Sequence, residues 1–166
     1  MTDELEKELK DLEITAMNEK AENAVAFAVA ATAATGAVPI PFADAPMLAG
    51  EQVLLMASIC GIYGIDIGKD GLKMLAVTAV GAGGATIIGK TVAANLLKLV
   101  PGPGTVAGGA VSIGTAGLVT LALGKAFIEV CKMVKLGKLS EEELTSSVGA
   151  SIMKKKFKEQ MKLNKK

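Results

Sequence analysis

The chain has 166 residues, half of them apolar and only 3% aromatic, with no His, Trp or Arg and with lysine as the sole basic residue. Those absences remove the commonest general base and metal ligand and the forked guanidinium grip on phosphate or carboxylate. We therefore expect no enzyme: no catalytic residue, no cofactor and no metal site. Net charge is +1, but residues 1–22 hold eight acids against three lysines, residues 132–166 hold ten lysines against four acids, and the stretch between holds five of each.

The first 22 residues are acidic and polar, unlike a signal peptide, which starts basic and runs into an apolar stretch. Residues 1–20 are expected to form an acidic amphipathic helix carrying Leu5, Leu9, Leu12 and Met17 as one narrow stripe. The helix is expected to continue through Ala24–Thr35, within the uncharged run Asn23–Ala43. Gly36 and the Val38-Pro39-Ile40-Pro41 elbow stop it, because Pro39 and Pro41 fix an extended backbone. Asp44 can cap the next helix, which carries Val53, Leu54, Met56, Ile59, Cys60 and Tyr63 and ends at Gly61 or Gly64. Glu51 and Gln52 are polar residues in that apolar helix, either functional or on its rim. Asp66–Gly71 reads as a polar turn with Asp70 as a second cap.

Residues 74–134 read as a Gly/Ala-rich antiparallel helical hairpin, with arms over roughly 72–99 and 105–135. The turn is enforced by Pro101, Gly102, Pro103 and Gly104. Small residues recur every fourth position on both arms: Gly81, Ala85, Gly89 and Ala93 on the first, Gly108, Ser112, Ala116, Thr120 and Gly124 on the second. They form a helix-packing seam that allows close backbone approach. Leu99–Gly124 has no charge across 26 residues, against the roughly 20 needed to cross a bilayer. Lys90 lies mid-arm, where a charge at the bilayer centre costs about 3 kcal/mol.

Cys60 and Cys131 lie in apolar stretches and read as buried free thiols. Gly137 closes the second arm. Ser140 and Glu143 form a capping box that opens a Lys-rich helix over 139–166 with Leu144, Val148, Ile152 and Phe157 on one side. Its Lys154, Lys155, Lys156, Lys158 and Lys162, followed by Lys165 and Lys166, are candidates for contact with an anionic membrane surface. Long alanine-bearing segments and the lack of strict alternation favour an all-α helical bundle over strands, despite β-branched Val77, Thr78, Val80, Ile87 and Ile88.

Gly84-Ala85-Thr86-Ile87-Ile88-Gly89-Lys90-Thr91 also satisfies the phosphate-loop pattern. There Gly84 and Gly89 would let amides cradle phosphates, Lys90 would reach the terminal ones and Thr91 would meet magnesium. No acidic residue after a downstream apolar strand completes it, no base-recognition motif follows, and two isoleucines occupy the loop. A helix carrying Lys90 is the structural reading.

The segments Ala37–Asp44, Leu48–Gln52, Ile62-Tyr63-Gly64, Leu96–Gly104 and Thr120–Ala126 occur in an order and spacing that resemble domain-of-unknown-function family 697. That family is a helical domain following the G domain of bacterial-type GTPases and found in YcjF-like membrane proteins. The resemblance covers Ala21–Val134, which would make residues 21–135 a family-like apolar domain between the acidic and Lys-rich terminal helices. It implies no catalytic residues. A short acidic helix stands where the family usually has its GTPase, so GTP hydrolysis by this chain is not expected. The leading expectation is a non-catalytic membrane-associated module on the cytoplasmic side, contacting lipid or another protein, working with a separate GTPase or assembling as a homo-oligomer. One alternative is a soluble cytoplasmic helical scaffold; the other is a nucleotide-binding protein using Gly84–Thr91. Nucleic acid is not an expected partner, given the lack of Arg and the few aromatics.

Overall fold

The computed structural model describes residues 1–35, 45–81 and 106–163, with side chains described for 1–31, 52–79 and 117–163. The described residues are all-α, with no strand among them. They form six helices: α1 (Thr2–Thr35), α2 (Ala45–Tyr63), α3 (Lys69–Gly81), α4 (Val106–Lys135), α5 (Glu141–Leu144) and α6 (Ser147–Leu163).

Helix α4 is the element that α1, α2 and α6 share. It packs against α1, α2 and α6, while α3 bridges α2 and α6, and the short α5 sits on α6. Small residues on α4 set the spacing. An added Cβ on Gly124 would lie 2.6 Å from Val25 Cγ2 and 3.3 Å from Leu55 Cδ2, and one on Gly117 would lie 3.7 Å from Val29 Cγ1. Rising numbers on α1 meet falling numbers on α4, so the two run antiparallel. Thus Gly124 admits both α1 and α2, and Thr120, one turn away, accepts a 2.9 Å hydrogen bond from Gln52 Nε2. Of the seam residues read from the sequence, Thr120 meets Gln52 of α2 and Gly124 meets Val25 of α1 and Leu55 of α2; the contact between the two arms lies outside the described residues. Ala85, Gly89 and Ala93 lie outside the described residues, as do the side chains at Gly81, Gly108, Ser112 and Ala116. Pro39, Pro41, Asp44, the corner Pro101, Gly102, Pro103 and Gly104, and the phosphate-loop pattern with Gly84, Lys90 and Thr91 lie outside them too.

The core is built from Met56, Ile59 and Tyr63 of α2, Leu72 and Leu75 of α3, Leu123 and Phe127 of α4, and Met153 and Phe157 of α6. Two helix ends follow from local sequence. Gly64 (φ 65°) ends α2: its N–H bonds to Gly61 O at 3.4 Å, and Ile65 N–H to Cys60 O at 2.9 Å. Gly137 (φ 73°) ends α4 the same way, with bonds to Val134 O and from Lys138 N–H to Met133 O. Both are Schellman ends, in which glycine adopts the left-handed conformation that side chains resist.

Two expectations are corrected. First, α1 does not carry one stripe. Leu5, Leu9 and Leu12 are exposed, whereas Met17 packs on the core with Ala21 and Val25. At 3.6 residues per turn Met17 falls about a third of a turn from the leucines. Second, the segment after Ser140 is not one helix. The capping box is present (Ser140 N to Glu143 Oε2 2.9 Å, Glu143 N to Ser140 Oγ 3.0 Å), but it starts only the one-turn α5. The Ser146 hydroxyl donates to Glu143 O and accepts from Val148 N, so it ends one helix and caps the next. That break shifts the phase. The buried face of α6 is Gly149, Met153, Phe157, Gln160 and Met161, and Val148 is exposed.

Candidate functional site

Among the described residues, the outer face of α1 is not used by the fold. Residues 1–13 are all exposed, and burial begins at Ile14. Leu5 (58%), Leu9 (58%), Leu12 (67%) and Phe27 (78%) all stand open. Spacings of four, three and fifteen residues put these four on one side of a continuous helix. Ile14, Ala21 and Val25 occupy the nearly opposite side and bury against the bundle. Helix α1 therefore has two apolar faces, of which the fold covers one.

Acids frame the open face. Glu4, Glu8 and Asp11 follow one flank of the leucines, and Glu6 and Glu13 follow the other; all five are exposed. Leu9 also borders a groove of about 480 Å³ between α1 and the end of α4, lined by Glu6, Lys10, Glu13, Ile14, Met17 and Lys135.

Helix α6 presents the opposite charge. Its outward row is Val148, Ser151, Lys155, Lys158 and Lys162, at helical spacings of three and four. Lys155 and Lys162 are exposed, and Lys154 and Lys158 half-buried. Lys156 differs from them. It bridges Glu129 of α4 at 2.9 Å and Glu159 at 3.4 Å, and Gln160 Nε2 donates to the same Glu129 carboxylate at 2.7 Å. The hydrogen bond to Glu129 raises the Lys156 pKa above its ordinary value. Lys156 thus fastens α6 to α4 and is spent on the fold. Lys154, Lys155, Lys158 and Lys162 make no ion pair among the described residues, and none joins α1 to α6.

The polar groups inside are structural in placement. Gln52 is buried rather than on a rim. Its amide donates to Thr120, and its Oε1 has no partner. Cys60 and Cys131 are free and buried. The neighbouring Cys60 thiol and burial push the Cys131 pKa far up. Among the described residues no group of three or more His, Cys, Asp or Glu is placed to hold a metal ion. Nor, among the described residues, is any helix long and apolar enough to cross a membrane. Of Leu99–Gly124, side chains are described only from Gly117.

A family model described as Domain of unknown function (DUF697) matches residues 1–157. The chain belongs to the DUF697 family. No curated protein matches it, and no solved structure does. The DUF697 match is wider than the Ala21–Val134 stretch that carries the resemblance in sequence. It takes in the whole open face of α1 and the first lysines of α6. Phe27 and the Lys156–Glu129 bridge escape a reading of the sequence. Phe27 sits in an apolar alanine run that looks uniformly buried, and only the fold brings Glu129 to Lys156.

Proposed function

We propose that this DUF697 chain is a non-catalytic helical module that works by contact with another polypeptide through the outer face of α1. The observation that supports this most is the row of four open apolar side chains on α1, set apart from the face that the bundle uses. Acids on both flanks disfavour an anionic bilayer as its occupant and favour a polypeptide bearing lysines. Open apolar surface rimmed by polar groups is the usual mark of a protein interface. A second copy and a GTPase are the candidate partners, the latter because the family resemblance places such a domain beside one.

A photo-crosslinking residue at Leu9, introduced in cells, tests this. A polypeptide adduct at Leu9, absent when the crosslinker sits at exposed Lys73 on α3, is the expected result. No adduct at Leu9 overturns the proposal.

A second reading rests on a separate observation. The four unpaired lysines of α6 suit an anionic membrane surface on the cytoplasmic side, each gaining about 1 kcal/mol near it. Flotation with phosphatidylserine vesicles that fails with all four changed to Gln is the result this reading requires.

A further inference from the structure

We infer that the occupant of α1's outer face is helix α6 of a second copy of this chain, lying antiparallel to it. The inference rests on the contact reading above and names its partner.

Charge and spacing carry it. On α1, Glu4, Glu8 and Asp11 follow one another at intervals of four and three, all exposed. On α6, read backwards, Lys162, Lys158 and Lys155 follow at the same intervals of four and three on the outward row. Two antiparallel helices in this register bring Glu4 to Lys162, Glu8 to Lys158 and Asp11 to Lys155, because both rows climb 1.5 Å per residue. The same register, with both helices right-handed, turns Ile152 and Leu163 of α6 toward the leucine side of α1 and Lys154 away from it. Lysine stems are four methylenes long and cover apolar surface while the ammonium groups reach the flanking acids.

Among the described residues, no ion pair of a single chain makes these contacts. Helix α1 packs on α4 and α2, and α6 on α4 and α3, and no ion pair joins α1 to α6 among the described residues. Among the described residues these acids and lysines have no ion-pair partner, which a second molecule would supply. Two α1 faces would meet less well, since acids flank the leucines on both sides and like charges would face each other. The contact is heterologous, joining different patches of the two copies, so every copy presents both an α1 and an α6.

Sedimentation of the full chain at low and high salt tests the inference, with E4K/D11K, K155E/K162E and the four changes combined. All four sites are exposed, and circular dichroism checks that each variant keeps its helix; E4Q/D11N serves if a reversal costs helix. The wild type is expected to self-associate and to loosen with salt. Either reversal alone lowers association about tenfold, and the combined variant, with its charges exchanged, regains it. A wild type that stays monomeric overturns the inference. So does association that survives both reversals but is lost in L5A/L9A/L12A, which would mean α1 on α1. Binding of phosphatidylserine vesicles by α6 without self-association overturns it as well. An adduct from Leu9 to a different polypeptide sinks this inference and leaves the contact reading standing, whereas no adduct removes both.

Discussion

Gly124 shows how much one missing methyl group decides. Its absent Cβ lets Val25 of α1 and Leu55 of α2 close on α4 together. Ala at this position would place its Cβ 2.6 Å from Val25 Cγ2, well inside contact distance. We expect Gly124→Ala to cost about 1–3 kcal/mol by overpacking, despite alanine's better helix propensity. The clash is with a side chain and not with backbone, so Val25→Ala should recover part of the loss in the double variant. Chemical denaturation of the four members of the cycle measures the coupling. Additive losses would mean that Val25 is not what Gly124 makes room for. The small-residue spacing that marks Gly124 is legible in sequence; its partner is not, because α1 reaches it from 99 residues away. Gln52 and Thr120 make the same point. Each stands out in its own helix, but their pairing does not, because their hydrogen bond spans 68 residues.

Elements whose ends depend on local chemistry can be read directly. Gly64, Gly137 and the Ser140–Glu143 box all bond within a few residues of themselves. The division between α5 and α6 is also local, but its signal, a serine hydroxyl serving two helices, is common in sequence and rarely marks a break. What joins one element to the next is harder to see. The Tyr63 hydroxyl at the end of α2 donates to Asn18 Oδ1 of α1, fixing two helices with one bond. Burial, the nearby Cys131 and then Glu22 push its pKa up from 10.0 to about 12. The folded chain therefore keeps this proton at a pH where the unfolded chain has lost it. By linkage, the stabilisation is complete below about pH 10 and is lost as pH rises through about 12, amounting to roughly 2 kcal/mol. Lys156, with its raised pKa, acts in the same direction. Denaturation midpoints between pH 9 and 12 should fall for the wild type and fall less steeply for Tyr63→Phe. Parallel curves would place the alkaline sensitivity elsewhere.

At the scale of the whole molecule, the charge asymmetry and the fold describe one arrangement. Sequence places the acids early and the lysines late, and the fold then keeps α1 and α6 from neutralising each other by seating both on α4. The all-α class was legible because long alanine- and leucine-bearing runs leave little room for strands. The open face of α1 was only half legible, since the leucine spacing is visible but its direction depends on which side α4 and α2 take. That division of α1 can be tested by removing its first turns. Deleting residues 2–12 takes away Leu5, Leu9, Leu12 and the acids beside them, yet it leaves Ile14, Ala21 and Val25, where burial begins. Exposed helix ends contribute little to global stability, so the thermal midpoint should move by no more than about 4 °C. Association should be lost in the same protein, because the acids that meet α6 and the leucines under them have gone. Thermal unfolding by circular dichroism, paired with sedimentation, reads both outcomes on one sample. A large fall in midpoint would mean that the first three turns belong to the bundle after all, and full association without them would mean that the open face of α1 is not where the copies meet.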